Sequence, residues 1–454
     1  MINDPNPTAD LTPFREAMHR LHRADEAEVL DRLCTPLPMS VAARKAATAQ
    51  AVAWVERMRA DTRPGLMEVF LAEYGLSTDE GIALMCLAEA LLRVPDADTI
   101  DALIEDKIAP SEWGAHLGKS SSPLVNASTW ALMLTGRVLR EDMQPGVAST
   151  LRGAVRRLGE PVIRTAVRRA MREMGNQFVL GEDIDAAMAR ARPQEARGYR
   201  YSYDMLGEAA MTAADAEGFF DAYRAAISRI AGAATSDDIA ANPGISIKLS
   251  ALFPRYEESQ RDRVMAELVP RVTALVRAAR EAGVGISIDA EEADRLDLSL
   301  DVIEAVARDP ALHGWDGFGV VIQAYSRRAG AVIDWVDALA ASLGRRMMVR
   351  LVKGAYWDTE IKRAQVEGLD GFPVFTRKAA TDVSYLACAR KLFDCSARLY
   401  PQFATHNAHT MAAILEMADG QAAFEFQRLH GMGEALHEMV REEHGTPCCI
   451  YAPV

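Results

Sequence analysis

The sequence predicts an α/β protein, a distorted TIM-type (β/α)8 barrel over residues 196–454, preceded by an all-α region over residues 46–195 and an N-terminal helical arm over residues 1–45. Three observations predict it. Up to about residue 195, apolar residues recur at three- and four-residue spacing, the period of a helix with one buried face. Beyond that point, eight short β-rich runs alternate with amphipathic stretches over about 255 residues, the arithmetic of an eight-fold barrel. Almost every run then turns polar or aromatic near its C-terminal end, where enzymes of this fold assemble their sites.

The helical half is carried by AARKAATAQAVAWVERMRA, TDEGIALMCLAEALLRVPDADTIDALIEDKI and EPVIRTAVRRAMREMGNQFVLGEDIDAAMARA. Ser77, Thr78, Asp79 and Glu80 supply capping groups at the head of one helix, and Pro95, which has no N–H to extend the ladder, ends it. Met85, Leu87, Leu91 and Leu92 read as a core-facing stripe rather than a partner surface.

After the polar stretch RARPQEARGYR the expected strands are YSYDML (201–206), GISIKLSAL (244–252), GISIDA (285–290), GFGVVIQAY (317–325), RMMVRLVKG (346–354), YPQFATHN (400–407), FEFQRLHG (424–431) and PCCIYAPV (447–454). Between them, segments such as RDRVMAELVPRVTALVRAAREAG and AVIDWVDALAASLG are amphipathic helices that close on Gly. The strand ends carry Lys248, Asp289 with Glu291 and Glu292, Gln323 with Tyr325, Arg350 with Lys353, His406 with Asn407, Gln427 with His430, and Tyr451. A doubly wound sheet would alternate in the same way, but no GxGxxG follows any strand.

Lys plus Arg total 51 against 64 Asp plus Glu, a net charge of −13, so the overall field repels nucleic acid and anionic membrane. The opening MINDPNPTADLTPFREAMHRLHRADEAEVLDRL contains no basic strand either, and no nucleic-acid partner is expected. Six cysteines without a CxxC pair point to a reducing cytoplasm and to no metal site, with the vicinal Cys448 and Cys449 as packing residues. No signal segment opens the chain, and no apolar run approaches the roughly 20 residues that span a bilayer, so any membrane contact is expected to be peripheral.

The stretch MMVRLVKGAYWDTE (347–360) begins as an apolar strand yet carries Arg350 and Lys353, then Gly354, Ala355, Tyr356 and Trp357. Arg350 shares the parity of Met348 and Val352 and therefore points into the barrel. A buried guanidinium is costly without a partner, so it needs a carboxylate such as Asp289 or an electron-rich ligand. Gly354 and Ala355 leave room for a large flat group, with Tyr356 and Trp357 offering π-faces beside it. A structural Arg–Asp pair with two core aromatics is the other reading.

IKLSAL, IDAEEADRL, VIQAY, RLVKGAYWDTEIKRAQ, TRKAATDVSYLACA, YPQFATHNAH, FEFQRLHGMGE and IYAPV occur in this order. Together they resemble the proline dehydrogenase domain of the proline utilization A family, whose members join it to an aldehyde dehydrogenase domain. The resemblance runs from about residue 45 onward and includes GIALMCLAEALLRVPD and RYSYDMLGEAAMTAADA. It implies a flavoenzyme that oxidises L-proline to Δ1-pyrroline-5-carboxylate by hydride transfer from proline carbon 5 to flavin nitrogen 5, with FAD over the barrel mouth and a membrane quinone as acceptor.

Arg350 then matches the arginine beside the hydride-accepting nitrogen. Ala290, Val321, Gln323 and Gln427 match residues around the flavin ring, and Lys353, Gly354, Ala355 and Trp357 match the loop that supports it. Thr376, Arg377, Lys378, Thr405, His406 and Asn407 match contacts to the ribityl, phosphate or adenine parts. Lys248 matches the lysine that approaches the proline carboxylate, Asp289 an active-site aspartate, and Tyr356, Leu429 and Tyr451 the walls around the pyrrolidine ring.

The family pattern continues past the eighth strand into a helix with two substrate-binding arginines, one paired with the position matched here by Glu208. The sequence ends at Val454, so a shortened chain that binds FAD but holds proline weakly, or serves as a scaffold, is the alternative expectation. An uncovered barrel flank would favour self-association into a homo-oligomer. Two rival chemistries rank lower: a Schiff-base lyase on Lys248 with Asp289 as acid–base partner, and a metal hydrolase on His406, His409 and His430, which lacks a carboxylate at ligand spacing.

Overall fold

Eight parallel strands close on themselves: β1 Arg200–Asp204, β2 Gly244–Ile247, β3 Gly285–Ile288, β4 Phe318–Gln323, β5 Met347–Val352, β6 Leu399–Ala404, β7 Glu425–Leu429 and β8 Cys448–Pro453. In this computed structural model, which describes residues 10–35, 39–60, 175–176, 178–418, 420 and 423–454, each strand pairs with the next and β8 returns to β1. The closing register runs from Arg200 opposite Cys449 to Asp204 opposite Pro453.

Strand alternation sorts the side chains into two sets. Ile245, Ile247, Ile286, Ile288, Val320, Ile322, Val349, Leu351, Phe403, Phe426 and Ile450 join the surrounding helices in one buried apolar core. The other set fills the barrel, and it is polar: Ser202, Ser246, Ser287, Arg350, Gln402, Glu425 and Gln427 are all buried. The apolar appearance of the fifth strand thus comes from its helix-facing residues, while Arg350 belongs to the interior.

Helices follow the strands as their caps dictate. Ala213–Ile230 opens with a reciprocal capping box between Thr212 and Asp215. Ala329–Leu343 ends at Gly344, whose φ of 60° is the left-handed conformation that glycine adopts without strain. Several strands end a few residues sooner than expected, and the largest departure is at β2, which stops at Ile247, with Leu249–Leu252 forming a helical turn instead. An apolar run of this length does not distinguish the two by periodicity. The turn leaves Lys248 at the mouth.

Ahead of the barrel, helices Thr12–Leu21, Glu26–Leu33 and Val41–Ala60 lie against it. Arg15 donates to Asp301 at 2.9 Å and sits 4.8 Å from the centre of the Trp335 ring. Trp54 Nε1 donates to Glu443 at 2.7 Å. The chain divides into two compact units, Met1–Met58 with Leu180–Val454, and Arg59–Val179. The expected helices beginning at Thr78 and Glu160, the cap at Ser77–Glu80, Pro95 and the stripe at Met85, Leu87, Leu91 and Leu92 lie outside the described residues, save the last turns near Ile184. Among the described residues, no helix is long and apolar enough to cross a membrane.

Candidate active site at the carboxyl-terminal mouth

Arg350, 3% exposed, anchors the floor of the mouth. Its Nη1 donates to Asp289 Oδ1 at 2.9 Å, its Nη2 to Ser202 Oγ at 3.1 Å and Ser246 Oγ at 3.0 Å, and its Nε to Gln427 Oε1 at 2.6 Å. Four of the five guanidinium donors are therefore engaged, and one Nη1 proton is left for a ligand. The arginine is paired with Asp289 and also lines a cavity, whereas the two aromatics of the purely structural reading are not core residues, Tyr356 being half-buried and Trp357 exposed.

Beside it, Lys248 Nζ contacts Asp204 Oδ2 at 2.9 Å, Asp289 Oδ2 at 3.3 Å and the Tyr451 hydroxyl at 3.4 Å. The same hydroxyl lies 2.7 Å from Asp204 Oδ2 and 2.8 Å from Asp289 Oδ2. Burial alone would lower the Lys248 pKa, but Asp289 and Asp204 hold it above its ordinary value. Burial pushes the Asp204 carboxyl up, against the pull of Lys248 and with the help of neighbouring Asp289. Burial, then Asp289 and Asp204, keep Tyr451 a neutral phenol.

This floor opens into a cavity of about 480 Å³ whose wall is mostly apolar. Lys248, Asp289, Ala290, Val321, Gln323, Arg350, Lys353, Gly354, Ala355, Tyr356, Lys378, Thr405, His406, Asn407, Gln427, Leu429 and Tyr451 line it, together with Val352, Ala404 and Arg428. Gln323 ties two loops together, donating to Glu291 O at 2.8 Å and accepting from Ala355 N at 3.0 Å. Burial lowers the His406 pKa to about 4, and its Nε2 accepts from Leu429 N at 2.9 Å, so the ring is neutral and carries its proton on Nδ1. Asn407 caps the helix Ala408–Ala418, its Oδ1 accepting from Thr410 N at 2.9 Å.

Four expected residues stand outside the cavity wall. Glu208 meets its rim, accepting from the Tyr356 hydroxyl at 3.2 Å. Trp357 donates to Phe375 O at 2.8 Å. Thr376 gives its backbone N–H and hydroxyl to Glu26 of the arm. Arg377 is exposed just before the helix Lys378–Asp394. Gly354, in the cavity wall, carries a further constraint: its φ is 138°, and a Cβ there would come within 2.3 Å of the Tyr325 ring. The Tyr325 contact thus demands a glycine at this point of the cavity wall.

Sequence reasoning missed three acids. Asp204 obeys the same strand-end rule that selected Asp289 and closes the Lys248–Tyr451 cluster. Asp382, one helical turn after Lys378, pairs with both Lys353 and Lys378, and these ammoniums hold its carboxyl low despite burial. Glu425 lies at the opposite end of its strand, where no rule pointed. It accepts from Gln402 at 2.9 Å and from Gln427 at 2.7 Å, and so turns the Gln427 carbonyl toward Arg350.

A closed parallel barrel with paired buried charges beneath a cavity at its carboxyl-terminal mouth defines a (β/α)8-barrel enzyme. The profile of the family described as Proline dehydrogenase matches residues 187–454, and the chain belongs to that family. It is 51% identical over 453 residues to the Bifunctional protein PutA of Escherichia coli, covering 97% of this chain and 34% of that one. With the Bifunctional protein PutA of Rhizobium meliloti the identity is 49% over 463 residues, covering 99% and 37%. A crystal structure of a mutant Bradyrhizobium japonicum Proline Utilization A (PutA) superposes with a TM-score of 0.73 at 51% identity, covering all of this chain and 44% of that one. The chain thus spans about a third of the length of the curated PutA relatives it matches.

A second profile, described as the DNA-binding domain of Proline dehydrogenase, matches residues 66–178. It overturns the expectation of no nucleic-acid partner. A net charge is a sum over the chain and says nothing of local clusters, and this stretch contains Arg152, Arg156, Arg157, Arg164, Arg168, Arg169 and Arg172.

Proposed function

We propose that the barrel holds FAD across its carboxyl-terminal mouth and oxidises L-proline to Δ1-pyrroline-5-carboxylate, with a membrane quinone as the final acceptor. The observation that carries this reading is the floor cluster, in which an ammonium and a guanidinium share buried carboxylates beneath an apolar cavity, in a chain of the proline dehydrogenase family. The residues fit the cofactor. The apolar wall suits a flat ring, and Arg350 retains a donor toward it. Lys353 and Lys378 stand by the N-terminus of the helix Lys378–Asp394, a setting that favours a pyrophosphate. When bound, FAD supplies the electron sink for the hydride leaving proline carbon 5.

The chain's own groups divide the remaining work. Lys248 anchors the substrate carboxylate with the donor now 3.4 Å from the Tyr451 hydroxyl, the loosest of its three contacts. Asp289 holds Lys248 and Arg350 in fixed orientation from opposite oxygens. Tyr356, Leu429 and Tyr451 bound the pyrrolidine ring, and Glu208, the expected gating residue, meets the rim through the Tyr356 hydroxyl.

The test is the visible spectrum of the purified protein, loaded with FAD, before and after L-proline under anaerobic conditions. Flavin bands that bleach are the expected result. Bands that persist would instead favour a cofactor-binding scaffold, and failure to take up FAD would overturn the reading of the cavity.

A further inference from the structure

We propose that Asp204 is the proton acceptor of this site, taking up the substrate's amine proton through the hydroxyl of Tyr451. The inference rests on the reading above, that a cyclic amino acid is oxidised in the cavity. An amine is protonated near neutral pH, and the C=N bond of the product needs the nitrogen lone pair, so a proton must leave before or with the hydride. Among the carboxylates at the mouth floor, Asp289 lines the cavity but already accepts from the Arg350 guanidinium. Asp204 does not line the cavity. It lies behind Lys248 and Tyr451, 3% exposed, at the end of β1.

Proton counting singles it out. The Tyr451 hydroxyl has one hydrogen, yet it lies 2.7 Å from one carboxyl oxygen and 2.8 Å from another. Both contacts are favourable only when one carboxyl also carries a proton, as in other sites where two carboxyls share a small space. Asp289 is held by two cations, Arg350 at 2.9 Å and Lys248 at 3.3 Å, whereas Asp204 has Lys248 alone at 2.9 Å, and its buried Oδ1 has no hydrogen-bond partner among the described residues. The proton therefore belongs on Asp204, and the geometry is that of the proton-loaded state. The titratable groups facing Asp204 are Lys248 from the end of β2, Asp289 from the end of β3, Tyr451 from β8 and Tyr223 from the helix Ala213–Ile230. Burial that raises the Asp204 pKa agrees with this placement.

The step balances without another reactant. The substrate N–H bond breaks as the Tyr451 oxygen takes that proton, the phenol's own proton passes to Asp204 Oδ2, and Lys248 stays an ammonium throughout. Ionised Asp204 is the competent form, and protonated Asp204 is the form left after the step.

Two readouts test this. In the cofactor-free protein, infrared difference spectra across a pH titration should show a protonated carboxylic acid carbonyl component that persists to higher pH than the bands of the exposed carboxyls, and D204N should lack that component. In the FAD-loaded protein, the rate of anaerobic flavin bleaching by L-proline should rise with pH to a plateau. D204N and Y451F should each lose that rising limb and react about 10²-fold more slowly. The double variant should be no slower than either single one, because both act in one relay. A D204N protein that keeps the wild-type pH limb and bleaches within about twofold of the wild-type rate would overturn the proposal, as would a Y451F protein that does so if D204N cannot be folded. Wild-type protein that never bleaches would sink the proline reading instead, while the infrared band still reports whether Asp204 holds the proton.

Discussion

Arg350 occupies a position that branched apolar side chains fill in most barrels of this type. It is tolerated because four donors are matched and Asp289 supplies the opposite charge. Removing one partner leaves the other buried and unpaired, so Arg350→Met should destabilise the fold by about 3–5 kcal/mol, read by urea denaturation of the cofactor-free protein. The histidines give a second prediction. Burial lowers the pKa of His406 from 6.5 to about 4 and that of His437 to about 3. The unfolded chain takes up protons near pH 6.5 that the folded chain refuses until much lower pH. Stability should therefore be full above that value and fall as the pH drops toward 4, by up to about 1.4 kcal/mol per pH unit for each ring. Burial likewise lowers the His22 pKa to about 4, so three rings share the effect; melting temperatures between pH 7 and pH 5 check it, and His437→Gln should remove about a third of the histidine contribution. At this scale Arg350 and Asp289 were legible because strand parity and strand-end polarity both select them. Asp204 obeyed the same rule and was passed over, whereas Glu425 sits at a strand start, where a carboxylate is indistinguishable from a solvated one until the barrel closes over it.

Each strand was legible through its apolar half, which faces the helices and alternates at period two. KLSAL was not, because four buried residues in a row satisfy a strand and a helical turn equally. Loops follow a different logic, in which one side chain often fixes a whole connection. Asn407 links β6 to the helix Ala408–Ala418 by capping it, and Asn407→Ala should cost about 1 kcal/mol by thermal denaturation. Gly354→Ala combines a φ of 138° with a Cβ 2.3 Å from the Tyr325 ring, so it should displace the loop that carries Ala355 and Tyr356. A lowered melting temperature together with weaker FAD uptake is the expected outcome, measured by thermal denaturation and flavin titration.

For the whole molecule, the arm is wired to the barrel through Glu26, which accepts from Arg327 at 3.2 Å and from the Thr376 hydroxyl at 2.9 Å. Glu26→Ala leaves the buried Arg327 side chain with the Ala24 carbonyl alone, and limited proteolysis should then cut within residues 1–45 sooner than in the parent chain. The DNA-binding profile over residues 66–178 shows the limit of whole-chain charge as a guide, since a net charge says nothing of how charges are placed within a domain. The closure of β8 onto β1 reaches beyond architecture. Asp204 is contributed by the first strand and Tyr451 by the last, and Val454 N donates to Asp204 O at 2.8 Å. During synthesis on the ribosome, Asp204, Lys248 and Asp289 emerge long before Tyr451, so the nascent barrel must wait with those charges hydrated and its seam open. Chemistry and closure become one event: until the final strand leaves the exit tunnel, there is neither a ring of strands nor a relay from the cavity to Asp204.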